Sequence, residues 1–233
     1  MKAMILAAGK GERMRPLTLN TPKPLLDVGG ETLIGHHIRR LVAAGFADIV
    51  INHSWLGEQI EQSLGDGRRY GARITYSPEA EPLETAGGIR QALPSLIQDG
   101  DWFLVINGDV WSEMPLSRLK VPDNADCSAL LVLAPNPEHH PDGDFLLTES
   151  GRVENDDQRH SGERLTFAGI SLLHQRLFSS LEKGVQRLAP VLHSAIARGE
   201  VRAIRHEGFW LDVGTPQRLA QLRERVGGEV ADR

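Results

Sequence analysis

The sequence predicts a single α/β domain built as a doubly wound, mostly parallel sheet with helices on both faces. Short apolar runs recur at 2–7, 48–52, 73–77, 102–106 and 128–134, and such runs suit strands covered on both sides. Segments with apolar residues at helical spacing stand between several of them, the alternation expected of helices packed on a parallel sheet. The length, 233 residues, with 40% apolar and 24% charged side chains, is that of one sizeable globular domain.

The first run enters Gly9 directly, so the loop from Gly9 to Arg15 is expected at the carboxyl end of its strand, where open α/β sheets bind ligands. After Glu31, residues Leu33, Ile34, Ile38, Leu41 and Val42 keep a helical spacing, with Thr32 placed to cap the helix and Gly45 to stop it. A second helix is expected over about 55–64, and helix-like composition returns at 188–197 and 217–226. Residues 135–144 and 154–163 are polar and turn-rich and read as loops. One domain spans 1–226, and 227–233 is expected to fray as a flexible tail.

A net charge of −5 argues against general binding to nucleic acid or to anionic membranes. The first 27 residues reverse that balance locally, with Lys2, Lys10, Arg13, Arg15 and Lys23 against Glu12 and Asp27. The single Cys127 lies in an apolar run and reads as a core residue, which makes a reducing cytoplasm the simplest compartment. The N-terminal apolar run is too short for a secretory signal, and no segment is long enough to span a bilayer. No obligatory protein partner is evident.

Glycines and cations are interleaved in Gly9-Lys10-Gly11-Glu12-Arg13-Met14-Arg15-Pro16-Leu17-Thr18, with Pro22-Lys23-Pro24 downstream. Gly9 and Gly11 let the backbone turn and bring its N–H groups to phosphate oxygens, while the Arg and Lys side chains supply positive charge. Met14 stands where the dinucleotide-binding G-x-G-x-x-G requires a third glycine, and the Walker loop fails for want of an upstream glycine and a Ser or Thr at position 11. Two further acids sit at expected strand ends, in Trp102-Phe-Leu-Val-Ile-Asn107-Gly108-Asp109 and in Phe209-Trp-Leu-Asp212. No cysteine–histidine array or H-E-x-x-H is present, so zinc chemistry is not expected.

Taken together, these strings resemble the signature of the sugar-1-phosphate nucleotidyltransferases, whose members join a nucleoside triphosphate to a sugar phosphate and release pyrophosphate. The resemblance implies a Rossmann-like fold with a nucleotide-binding part over about 1–110 and a sugar-binding part over about 111–226. It implies Mg²⁺ held by Asp109 and Asp212, catalytic cations at Arg15 and Lys23, and nucleotide contacts from Ala8, Gly9, Gly11, Glu12, Arg13 and Asn107. Pro82-Leu-Glu-Thr-Ala-Gly-Gly88 resembles the family's base-contacting segment and adds Gly87, although Glu84 stands at a usual glycine. Glu79 is a candidate for base or ribose, with a solvated loop acid as the alternative reading. Gly143-Asp144 and Phe167-Ala-Gly169 resemble the sugar-side motifs, and Glu163 is a candidate for a sugar hydroxyl. Trp111, just past the metal acid, could face the sugar, whereas His139-His140 read as exposed polarity.

Within the family, Val50-Ile-Asn-His-Ser-Trp-Leu-Gly57, the 82–88 segment and Leu165-Thr-Phe-Ala-Gly-Ile-Ser171 are most similar to members that act on N-acetylmuramic acid α-1-phosphate. The substrates implied are UTP and that sugar 1-phosphate, and the product is a UDP sugar of cell-wall recycling. Arg164, Arg202 or Arg205 would then meet the sugar's lactyl carboxylate. The alternatives are guanylyl or uridylyl transfer to mannose, heptose or glucose 1-phosphate, and a noncatalytic nucleotide-sugar sensor. No hexapeptide repeat marks the β-helix domain that many relatives append.

Overall fold

The computed structural model describes residues 1–98, 100–155 and 161–231. Strand β1 (Ala3–Leu6) is followed by the glycine loop and by a hairpin of β2 (Asp27–Val28) and β3 (Glu31–Thr32). Its two-residue turn, Gly29-Gly30, has positive φ at both positions, the twist that a tight hairpin demands. Helix α1 (Leu33–Ala43) starts where expected: the Thr32 hydroxyl accepts the Gly35 N–H at 3.1 Å, a cap that contributes about 1 kcal/mol. Then come β4 (Asp48–His53), α2 (Gly57–Leu64), β5 (Arg73–Pro78), α3 (Glu84–Leu96), β6 (Trp102–Asn107) and β7 (Val110–Ser112). The second half adds β8 (Ala129–Ala134), β9 (Phe145–Leu147), β10 (Val153–Glu154), β11 (Glu163–His174), α4 (Leu188–Ala197), β12 (Val201–Arg205), β13 (Trp210–Asp212) and α5 (Pro216–Ala231).

Among the described residues, nine strands form one mixed sheet. Its order is β10-β9-β11-β6-β1-β4-β5, with β8 and β12 continuing beside β11. The β6-β1-β4-β5 half is parallel throughout, and β12 runs parallel to β8. Strand β11 runs antiparallel to β6, β8 and β9. Alternation along β1 shows the double winding. Ala3 and Ile5 pack with Ile34, Ile38 and Leu41 of α1 and Ile60 of α2, whereas Met4 packs with Ile89 and Leu93 of α3 and Leu192 of α4. A third apolar cluster ties the glycine loop to the last helix, through Met14, Leu33, Leu211, Leu219 and Leu222. Cys127 is buried as expected, and burial pushes its thiol pKa up.

The structure corrects two readings of secondary structure. The stretch read as a loop over 154–163 is entered from β10 at Glu154 and opens into β11 at Glu163; residues 156–160 of it lie outside the described residues. Helix α5 continues through 227–231 where fraying was expected, and 232–233 lie outside the described residues. No described helix is long and apolar enough to cross a membrane.

Candidate active site

Register places the site. Leu6 of β1 stands beside Asn52 of β4 on one side and Asn107 of β6 on the other, so three carboxyl ends open in one row. The glycine loop leaves from the middle of that row. Gly11 has a φ of +63°, and a Cβ there would lie 3.0 Å from Thr18 and 3.2 Å from Lys23, so the loop closes tightly over the segment that carries the lysine.

Above the row lies a cavity of about 720 Å³ lined by Gly9, Lys10, Gly11, Glu12, Arg13, Lys23, Asn107 and Asp109, among others. Lys23 is buried, and its Nζ donates to Asp109 Oδ2 at 2.6 Å. A smaller adjoining cavity of about 250 Å³ is bordered by Ala8, Asn52, Glu79 and Glu84. Here Asn52 does work that its sequence context does not advertise. Its Oδ1 accepts the Ala7 N–H at 2.9 Å, its Nδ2 donates to Glu79 Oε1 at 2.7 Å, and Glu79 Oε2 accepts the Leu83 N–H at 2.9 Å. Glu79 is 5% exposed. It is therefore no solvated loop acid, since it fastens the entry of α3 to the ends of β1 and β4.

A third cavity, about 390 Å³, shares Arg13, Asn107 and Asp109 with the first and adds Pro137, His139, His140, Thr166, Phe167, Trp210 and Asp212. Strands β7 and β13 pair so that Val110 faces Asp212 and the Val213 N–H donates to the Asp109 carbonyl at 2.8 Å. This pairing brings together two acids more than a hundred residues apart in sequence. Arg218 of α5 donates to Asp212 Oδ2 at 3.0 Å. A Cβ at Gly214 would lie 2.5 Å from an Arg218 nitrogen and 3.1 Å from one of Arg13, so two guanidinium groups converge beside Asp212.

Asp109 and Asp212 can hold a divalent cation. Each has one oxygen engaged by a basic side chain, while Asp109 Oδ1 and Asp212 Oδ1 have no hydrogen-bond partner among the described residues. The donors are hard oxygens, and no group of three or more His, Cys, Asp or Glu able to hold a metal occurs among the described residues. A cation here would complete its shell from phosphate and water.

Other expected residues stand at the edge or outside. Arg15 is half exposed, 3.8 Å from Glu12, and borders none of the three cavities. Gly87 turns its N–H to the Gln186 carbonyl at 3.1 Å, and a Cβ there would meet the Gly184 carbonyl, so its smallness serves the packing of α3. Gly169, with φ +71°, lies against Asn107, where a Cβ would come within 2.8 Å of Nδ2. It sits in a register shift of β11 between Phe167 and Ser171. Gly143, also at positive φ, lies against Asn136.

Asp144 acts through neighbours, accepting the Phe167 N–H at 2.8 Å and engaging His140 Nε2 at 3.0 Å. Glu163 pairs with Arg205, about 13 Å along β11 from Phe167 at the strand's rise per residue, and does not border the third cavity. Arg164 bonds to the Asp142 and Gly143 carbonyls, and Arg202 to the Ser150 carbonyl. None of the three arginines expected near a sugar carboxylate borders that cavity. Trp111 packs on His36 with ring centroids 4.9 Å apart, and Trp210 takes the cavity wall instead. His139 and His140, read as exposed polarity, line it too. Two imidazoles just before Gly143-Asp144 were the available signal.

Residues 2–153 match the profile of a family described as Nucleotidyl transferase. The chain is 51% identical over 234 residues to the N-acetylmuramate alpha-1-phosphate uridylyltransferase of Neisseria meningitidis serogroup B, covering 97% of this chain and 99% of that one. A protein of the same name from Caulobacter vibrioides is 33% identical over 227 residues, covering 92% of each. Among solved structures, HddC from Yersinia pseudotuberculosis in complex with GMP-PN superposes with a TM-score of 0.79 at 20% identity, covering 96% of this chain and 98% of that one.

Proposed function

Because the chain belongs to the nucleotidyl transferase family, we propose that it transfers the uridylyl group of UTP to N-acetylmuramic acid α-1-phosphate. The products are UDP-N-acetylmuramic acid and pyrophosphate, in cell-wall sugar recycling. One observation carries the assignment of the site. Register brings a glycine loop, a buried lysine and two separated aspartates to one sheet edge, between two connected cavities.

The nucleophile is an oxygen of the sugar phosphate, already anionic near neutral pH, so no Ser, Cys or His nucleophile is needed. It attacks the α-phosphorus of UTP, the bond to the bridging oxygen breaks, and pyrophosphate leaves. The obstacle is repulsion between anions. Two like unit charges 4 Å apart interact by about 4 kcal/mol at an effective dielectric of 20. Fixed cations therefore supply much of the rate. The backbone of Gly9 and Gly11, with Lys10 and Arg13, holds the triphosphate, and Lys23 meets phosphate at the reacting centre. Arg15, exposed beside Glu12 and outside the three cavities, is assigned to the leaving pyrophosphate by the family resemblance alone. Mg²⁺, held by Asp109 and Asp212, supplies charge neutralisation on the reacting phosphates when bound.

Glu79 and Asn52 shape the base and ribose side, and the third cavity takes the sugar. UTP is an intracellular metabolite, which sets the reaction in the cytoplasm. The test is turnover by Asp109→Ala and Arg15→Ala proteins whose circular dichroism matches the parent. Each is expected to lose more than a hundredfold, and near-normal turnover in either contradicts its assigned role.

A further inference from the structure

The third cavity contains a recognition element that none of the expected sugar contacts accounts for. Arg218 Nη1 lies 2.7 Å from His139 Nε2 and 3.0 Å from Asp212 Oδ2. A guanidinium can only donate, so His139 Nε2 is the acceptor and its proton sits on Nδ1. Arg218 thereby fixes the tautomer of His139, leaving the Nδ1–H as a donor on a ring that borders the cavity. Apart from Arg13, Asn107 and the two aspartates, which the reading above gives to phosphate and metal, the polar side chains that border the cavity are already committed. His140 Nε2 donates to Asp144, the Trp210 indole donates to the Ala168 carbonyl, and the Thr166 hydroxyl donates to Asn136.

We propose that His139, oriented by Arg218, reads the carboxylate of an acidic sugar substituent. The inference rests on the uridylyl-transfer reading of the same site and names the group that selects its acceptor. With the sugar's anomeric phosphate placed at Asp109 and Arg13, where the two cavities meet, carbon 3 is two ring bonds from carbon 1 and stands inside the third cavity. Its lactyl ether then reaches the part of the wall that His139 forms. Arg218 stands behind His139 and is itself paired with Asp212. The one further carboxylate there, Asp144, is occupied by His140 and the Phe167 N–H. An acceptor carboxylate meets a fixed N–H backed by positive charge; an acceptor with a bare hydroxyl gains little from either.

The test is calorimetric binding of UDP-N-acetylmuramic acid and UDP-N-acetylglucosamine, which differ only by the lactyl group, to the parent protein and to His139→Phe. His139 is exposed on its loop, so the variant is not expected to unfold. The parent is expected to bind the muramic product at least tenfold tighter. The variant should narrow that ratio below threefold, with affinity for UDP-N-acetylglucosamine held within a factor of three. A ratio unchanged in His139→Phe overturns the proposal and leaves uridylyl transfer standing, and equal weakening of both ligands overturns it as a structural effect. A parent protein that binds neither UDP sugar overturns the proposal together with the reading on which it rests.

Discussion

Lys23 is where the electrostatic reading of this site is most exposed to failure. Lys23→Met keeps a similar unbranched stem in a side chain that is 9% exposed, and removes the charge that lies 2.6 Å from Asp109. Against a phosphoryl oxygen at about 4 Å, a fixed cation is worth up to about 4 kcal/mol at an effective dielectric of 20. That is about three powers of ten in rate at 1.36 kcal/mol each. In the resting protein Asp109 already balances part of that charge, so the expected loss in kcat is about 10²–10³-fold. The folding cost is much smaller. Asp109 is 38% exposed and solvent screens the pair, which leaves about 1 kcal/mol or less. Pyrophosphate release measured beside urea unfolding separates the two effects. Turnover within tenfold of the parent would refute the role, as would a loss that tracks the unfolded fraction.

Three further outcomes follow from packing and burial. Asn52→Leu strands the Ala7 N–H and a Glu79 oxygen in a buried setting and is expected to cost about 2–4 kcal/mol in urea unfolding. His37 is fully buried, and burial, then Arg40, lowers its pKa to about 3. The unfolded chain therefore takes up the proton first as pH falls below about 6.5, and stability drops by up to about 1.4 kcal/mol per pH unit from there toward pH 3. His37→Leu should flatten that slope between pH 5 and 6.5, and an unchanged slope would assign the acid sensitivity elsewhere. Glu84 has a φ of +61°, so Glu84→Gly is expected to raise stability by about 1 kcal/mol, read from the urea midpoint.

Sequence made the parallel half of the sheet legible because its strands are short, apolar and followed by loops rich in glycine or acid. Ala3–Leu6 leading to Gly9, and Trp102–Asn107 leading to Asp109, fall where the apolar runs put them. The antiparallel half was less visible. Strand β11 carries a glycine at φ +71° and a register shift, which break the two-residue period that marks a strand. Helix α3 was not placed from the sequence, since Gly87 and Gly88 disfavour helix, yet tertiary packing needs both: a Cβ at Gly88 would lie 2.5 Å from Glu79 Oε1. The same blindness to long-range pairing explains the sugar side. Glu163 carried the right charge, but Arg205 on β12 claims it, and Arg218 reaches Asp212 and His139 from a helix that the third apolar cluster and the contacts of Arg223 and Arg225 orient. Local strings carried the glycine loop and the two acids, and contacts between distant segments decided which side chains border the third cavity.

The most direct measurement is Mg²⁺-dependent pyrophosphate release from UTP, GTP, CTP, ATP and dTTP, each tested against the 1-phosphates of N-acetylmuramic acid, N-acetylglucosamine, glucose and mannose. Release is expected with UTP and the muramic sugar, abolished by chelating the metal. Faster release with another pair contradicts the assigned acceptor or base, and none from a folded, nucleotide-binding protein contradicts catalysis itself.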